Sequence, residues 1–363
     1  MVNKSSSLPL KAATSQPSLP TSITKQGIVL KDTGRLDAGD QDTEVVIYRK
    51  LHAHNVPYTA TVEASGDVSY KTVTQSLKHK PWSKMKENIT GHIHYRLVLK
   101  DVGHRLDEFH CVQADTLIAL VATFRLANIH CSISIGNILI LPDEQDSFTK
   151  GLLIDWDLSK DVAKLGARRH DQTGTWQFMS AALLRDGNKQ HTIADDLESS
   201  LHVLTWTTLC HVPHTLPPAA LKYHLDRIFD EYSPCTKTGG SSKGDSLGAG
   251  TYIPAGLELK QDSPLLKLLR ALSVPYRYVY GEPHKVAEHL AYLYNRQADV
   301  NLHNEHIALV NSPEWFEKTM DAALNNKNIP WPEDDGSSTL SRKRARSPSP
   351  ARSNEENMTK RHH

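Results

Sequence analysis

The sequence predicts an α+β chain, rich in strands between residues 26 and 100 and mainly helical from there to residue 325. Three observations predict it. Short apolar runs come first, at Gly27–Lys31, within residues 56 to 75, and at His94–Leu99. A pair of apolar runs around a polar turn follows at residues 138 to 154, the pattern of a buried hairpin. Longer apolar stripes at helical spacing then dominate.

Each element has its own signal. Residues 1 to 25 are rich in Ser, Thr and Pro and contain no Gly, which predicts a disordered leader. Gly27-Ile28-Val29-Leu30-Lys31 reads as an apolar strand ending in a lysine. Glu44 opens E-V-V-I-Y-R-K-L, with Val45, Ile47, Tyr48 and Leu51 at helical spacing. Val56-Pro57 and Gly66-Asp67-Val68 lie in a stretch expected to supply further strands. His94–Leu99 is a strand leading into Asp101-Val102-Gly103. Asp115 then caps a helix to Asn128, whose stripe is Leu117, Ile118, Leu120, Val121, Phe124 and Leu126.

The centre of the chain runs from His130 to Asp157. Ile138–Leu141 and Leu152–Ile154 flank the polar segment Pro142–Lys150. Asn137 stands just before the first strand and Asp155 just after the second, so antiparallel pairing brings both to one end of the hairpin. An amide oxygen beside a carboxylate is a hard-oxygen donor set suited to Mg²⁺. Further on, Ala194-Asp195-Asp196-Leu197-Glu198 begins an apolar helix whose acidic first turn complements the helix dipole. Thr236–Gly250 is a Gly/Ser/Lys stretch without apolar periodicity, expected to be a flexible loop. Pro264–Leu272, Glu282–Tyr294 and Glu305–Leu324 read as helices.

Composition excludes several classes. No apolar run approaches the roughly 18–20 residues needed to span a membrane. Four scattered cysteines, Cys111, Cys131, Cys210 and Cys235, form no C-x-x-C pair, which argues against a zinc site or disulfide framework and for an intracellular protein. The net charge of +1 conceals an asymmetry: from Ser341 onward seven Lys/Arg stand against two Glu, leaving about −4 for the rest. This basic stretch lies within residues 326–363, which are expected to be disordered, and from Ser341 it reads S-R-K-R-A-R-S-P-S-P. The run at 342–346 resembles a nuclear-localisation signal. Nucleic-acid association is expected only through this tail. Ser347 and Ser349 each precede Pro, and phosphate there would cancel positive charge.

The spacing H-x-x-x-x-x-x-N from His130 to Asn137, followed after the hairpin by Asp155-Trp156-Asp157, resembles the H-R-D-x-x-x-x-N and D-F-G motifs of protein kinases. Gln172-Thr173-Gly174-Thr175-Trp176-Gln177-Phe178-Met179-Ser180 resembles the end of an activation segment. H-x-x-I-S-x-G-N-I-L-I, G-T-W-Q-F-M-S and D-D-L-E-S together are similar to the fungal-type protein kinase family, over residues 27 to 295. The resemblance implies a two-lobed fold, with a truncated β-rich small lobe at 26–100 and a mainly helical large lobe at 101–325. It implies that Lys31 contacts the phosphates of ATP and that Glu44 holds Lys31 by an ion pair. It further implies that Asn137 and Asp155 ligate Mg²⁺, that Asp196 supports the catalytic loop, and that Asp101-Val102-Gly103 is the hinge.

The departures are as informative. Ser132 occupies the position of the catalytic Asp, and Cys131 that of the Arg that binds an activation-loop phosphate. No Gly-rich loop precedes Lys31. Ala182 stands where many kinases place a Glu that forms a buried ion pair. Asp157 replaces the Gly of D-F-G, and Ser134 a catalytic-loop Lys, both as is common in this family. A neutral hydroxyl is a poor proton acceptor, and a general base contributes roughly 10²–10⁴ in rate. The expectation is therefore a pseudokinase, or a very weak Ser/Thr kinase, that binds ATP and Mg²⁺ and acts through protein partners. The alternatives are an active kinase using a non-standard base and a scaffold that binds no nucleotide. A small-molecule phosphotransferase shares the catalytic-loop pattern, but the activation-segment and D-D-L-E-S motifs favour a protein kinase.

Overall fold

The computed structural model describes residues 28–37, 42–56, 58–77, 91–106, 130–142, 148–159, 174–260, 263–281 and 297–326. The leader, the helix expected at Asp115–Asn128, the helix expected at Glu282–Tyr294 and the basic tail lie outside the described residues.

Strand β1 (Val29–Leu36) is followed by helix α1 (Glu44–Ala53), strand β2 (Val62–Asp67), the short helix α2 (Val73–Leu77) and strand β3 (His92–Leu99). The three strands form an antiparallel sheet in the order β1-β3-β2. β3 alternates as a strand with one covered face should, with Tyr95, Leu97 and Leu99 buried and Arg96 exposed. β1 runs past the expected end at Lys31, which pairs with Leu97 in mid-strand. The stretch 56–75 yields one strand, and its end turns into α2. There the Thr72 hydroxyl donates to the His92 carbonyl, while the His92 amide donates to Thr74 Oγ1 at 3.0 Å, fastening the turn to the start of β3.

A second antiparallel sheet, in the order β4-β5-β6, consists of β4 (His104–Arg105), β5 (Ile138–Pro142) and β6 (Phe148–Leu153). Its central pair is the expected hairpin, in the register Ile138↔Leu153. Ile138, Leu139, Ile140, Leu152 and Leu153 are all buried, which is why these strands read as continuous apolar runs without alternation.

The helical part comprises α3 (Ala181–Arg185), α4 (Ile193–His211), α5 (Pro218–Ile228), α6 (Ser241–Ala249), α7 (Leu265–Tyr280), α8 (Gln297–Leu309) and α9 (Pro313–Leu324). α4 is buried along most of its length. Its first turn is closed by Asp195, whose carboxylate accepts from both the Thr192 amide and the Thr192 hydroxyl. α7 extends well past Leu272 and carries Pro275 within it. The stretch expected as one helix from Glu305 to Leu324 is two, because Ser312 caps a new helix and Pro313 supplies its pre-set first turn.

The flexible loop expected at 236–250 is overturned. Residues 241–249 form α6, with Gly240 (φ 74°) and Gly250 (φ 70°) in the left-handed region at its two ends. The glycines inside it serve close packing instead of flexibility. A Cβ on Gly248 would stand 2.7 Å from the Tyr280 backbone, so only Gly lets α6 lie this close to the end of α7.

The fold is α+β, as expected. One hydrophobic core joins its parts, running from Tyr48 and Leu97 through Ile138 and Trp156 to Leu201, Leu204, Leu269 and Phe316. Among the described residues no helix is long and apolar enough to cross a membrane.

Candidate functional site

Lys31, Glu44 and Asp155 come together from three separate elements. β1 presents Lys31 beside the first turn of α1, where its ammonium donates to Glu44 Oε2 at 2.7 Å. It also donates to Asp155 Oδ1, and Asp157 Oδ2 lies 3.6 Å away. Glu44 is buried, and its second oxygen accepts the Trp156 amide at 3.1 Å. One carboxylate thus binds the strand lysine and the turn that carries the two aspartates. Asp155 itself adopts a left-handed backbone (φ 70°), which re-aims the chain between β6 and the helical turn Trp156–Leu158. Such a conformation is disfavoured for a non-Gly residue and recurs at ligand-holding turns.

The electrostatics follow from crowding. Burial opposes the Lys31 charge, but Glu44, Asp155 and Asp157 outweigh it and raise the ammonium pKa above its usual range. Burial pushes Glu44 up, against the pull of Lys31. Asp155 is also penalised by burial, yet the adjacent Lys31 holds it below the usual carboxylate range. Asp157, although 36% of its side chain is exposed, is pushed up to about 7 by partial desolvation and by the Asp155 charge. Two neighbouring carboxyls of this kind do not both ionise readily, so one retains a proton near neutrality.

The expected catalytic loop sits on α4. Asp196 accepts the His130 amide at 2.6 Å and the Cys131 amide at 3.2 Å, and it also receives the His191 ring nitrogen at 2.7 Å. Cys131 needs this support because its φ is +64°. The His130 ring is buried, stacks edge-on against Trp156 with 4.6 Å between centroids, and donates Nε2–H to the Ile154 carbonyl at 3.0 Å. Burial holds its pKa below the ordinary histidine value. The loop and the aspartate-bearing turn are thereby joined by a neutral imidazole.

Ser132 and Asn137 are in contact, as the spacing requires. Asn137 Nδ2 donates to the Ser132 carbonyl at 2.8 Å and to its hydroxyl at 3.3 Å. The amide oxygen is then the Asn137 atom with ligating capacity. Across the hairpin end, the Ile154 amide donates to the Asn137 carbonyl at 2.9 Å, tying this residue to the strand that delivers Asp155. Glu44, Asp155 and Asp157 offer oxygens that all lie within 4.8 Å of one another, a donor set that fits a hard divalent cation.

Reading the sequence singled out Lys31, Glu44, Ser132, Asn137, Asp155 and Asp196, and each has the neighbours described. Three participants were missed. In the sequence Asp157 reads as an ordinary family substitution, although it stands two residues from Asp155. His191 gave no spacing signal toward Asp196. The Trp156 amide is a backbone group and leaves no trace in side-chain patterns. Asp101, expected in the hinge, accepts the Thr61 amide and so joins the end of β3 to the start of β2.

Comparison with curated proteins finds no match. The family model of the fungal protein kinases matches residues 22–208, just over half the chain and every residue of the cluster above. The chain therefore belongs to the fungal protein kinase family.

Proposed function

We propose that this family member is a degenerate kinase that binds ATP with Mg²⁺ and acts through protein partners, with phosphotransfer weak or lost. The observation that carries the reading is an asymmetry within one site. The cation side keeps Lys31 paired to Glu44 and set against Asp155. The proton-accepting side is a serine hydroxyl engaged by Asn137. Asn137, Asp155 and the adjacent Asp157 would hold the metal, and Lys31 would meet the phosphates. When bound, the metal would neutralise phosphate charge and orient the terminal phosphoryl group. Ser132 has no charge near neutral pH and cannot draw a proton from an acceptor hydroxyl as a carboxylate does. Phosphoryl transfer relies chiefly on positioning and electrostatics, so a low residual rate is compatible with this site.

The test pairs binding with turnover. Melting of the full chain is followed against MgATP, with Asp155→Asn as the blank. At a hundredfold excess over Kd a stabilisation of about 2.7 kcal/mol is expected, and it should vanish in the blank. Labelled-ATP assays of the wild type and of Ser132→Asp follow, with turnover expected to rise by about 10²-fold or more in the variant. No melting shift at millimolar nucleotide would leave a scaffold, and wild-type turnover in the ordinary kinase range would mean an active enzyme with another base.

A further inference from the structure

Beyond the matched residues 22–208, α6 carries a charge that neither the family match nor the nucleotide reading uses. Lys243 is fully buried in the helical part, 0% exposed. Its ammonium donates to two backbone carbonyls of one short segment, Gln177 at 3.0 Å and Met179 at 2.9 Å, and lies 5.9 Å from the centroid of the Phe229 ring. The same segment is held from α4 by an opposite charge. Buried Glu198 accepts the Ala181 amide at 2.8 Å on one oxygen and the Tyr280 hydroxyl at 2.6 Å on the other. That hydroxyl in turn accepts the Ala182 amide at 3.1 Å. His202 donates its Nε2–H to Glu198 at 3.1 Å, and its other ring nitrogen meets the Tyr252 hydroxyl at 2.6 Å.

We infer that Lys243 and Glu198 are positioning residues for the segment Trp176–Ala182, a buried cation and a buried anion that fix its backbone path from inside the helical part without any modification of the segment itself. The groups they hold follow one another along the chain: carbonyls at 177 and 179 go to the cation, and amides at 181 and 182 go to the anion and its tyrosine. Ser180, between them, donates its hydroxyl to Asp195 at 2.6 Å. Trp176 is pinned by its indole N–H on the Glu231 carbonyl at 3.0 Å and by an edge contact with Tyr232. Fully buried charges are costly unless paired and hydrogen-bonded, and removing one partner strands the other. Burial works against both, driving Glu198 up and Lys243 down; each favours the other's charged form, and Glu231 and Asp230 also favour that of Lys243. Ala182 offers no side-chain charge for an ion pair, and Cys131 offers none for a phosphate. Order in this segment is supplied instead from α4 and α6.

Amide hydrogen exchange on the full chain tests this. In Lys243→Met, which keeps the linear stem, amides at 178–183 should exchange about tenfold faster or more, while Leu201–Leu204 in α4 keep their protection. Losses in melting temperature for Lys243→Met and Glu198→Gln should be less than additive in the double variant, because removing both charges strands neither. In the wild type, exchange over 174–182 should be the same before and after phosphatase treatment. The phosphatase comparison needs no variant and stands even if Lys243→Met does not fold. Unchanged exchange in a folded Lys243→Met, additive losses, or loss of protection on phosphatase treatment would each overturn the inference.

Discussion

At the scale of single residues, the site turns on how few charges a small volume tolerates. Lys31 is shared among Glu44, Asp155 and Asp157, so Asp157 is the carboxyl with the least compensation. Its pKa is pushed up, from 3.8 to about 7, by burial and by Asp155. The native state then holds a proton that the unfolded chain has released. Between about pH 4 and pH 7 the native state should lose stability as pH rises, and above that range the loss is complete. In metal-free buffer, Asp157→Asn should therefore melt increasingly above the wild type as pH climbs through this window. A melting difference that stays constant from pH 4 to pH 8 would show that Asp157 titrates normally. The hairpin pattern places Asn137 and Asp155 at one end, and the kinase resemblance singles out Lys31, Glu44 and Asp196; the contacts of Lys31 with Glu44 and Asp155, and of Asp196 with the His130 amide, are those it implies. Asp157 was legible only as a letter. What it does depends on how closely a half-buried lysine and two other acids surround it, and no spacing rule reports that.

At the scale of elements, the sequence failed where small residues were read as freedom. Residues 241–249, S-S-K-G-D-S-L-G-A, have a weak apolar stripe and two glycines, the composition of a linker. They form α6 because the glycines admit neighbours that any side chain would exclude, and because Lys243 finds carbonyls to donate to. Gly248→Ala should cost about 1–3 kcal/mol in chemical denaturation, since its Cβ would meet the Tyr280 backbone, which cannot give way cheaply. Gly256→Ala is the control: nothing lies within 4 Å of its added Cβ, and stability should change little. The hairpin β5–β6 and the buried helix α4 were legible for the opposite reason, being dense in large apolar residues. The break between α8 and α9 was missed because Ser312-Pro313 acts as a start signal inside what looked like one continuous stretch.

At the scale of the whole molecule, the α+β class could be read from short apolar runs and a hairpin pattern in the first part of the chain and longer helical stripes in the rest. The connection between the parts could not, because it is made by core contacts between residues distant in sequence. Tyr48, Trp156, Leu201 and Phe316 belong to one hydrophobic cluster. Residues that share a core tend to unfold together. Urea titrations of the chain followed by tryptophan fluorescence and by far-UV circular dichroism should give coincident midpoints, and two separated transitions would mean that the sheet and the helical part melt independently.

Glu44 sits at the first turn of α1 with one oxygen on Lys31 and the other on the Trp156 amide. An outward swing of this helix would have to unlatch the β1 lysine and the Asp155–Asp157 turn in the same stroke. The helix is thus geared to both, and a displacement of its exposed side would be passed, like a lever stroke, to Lys31 and to the aspartate-bearing turn together.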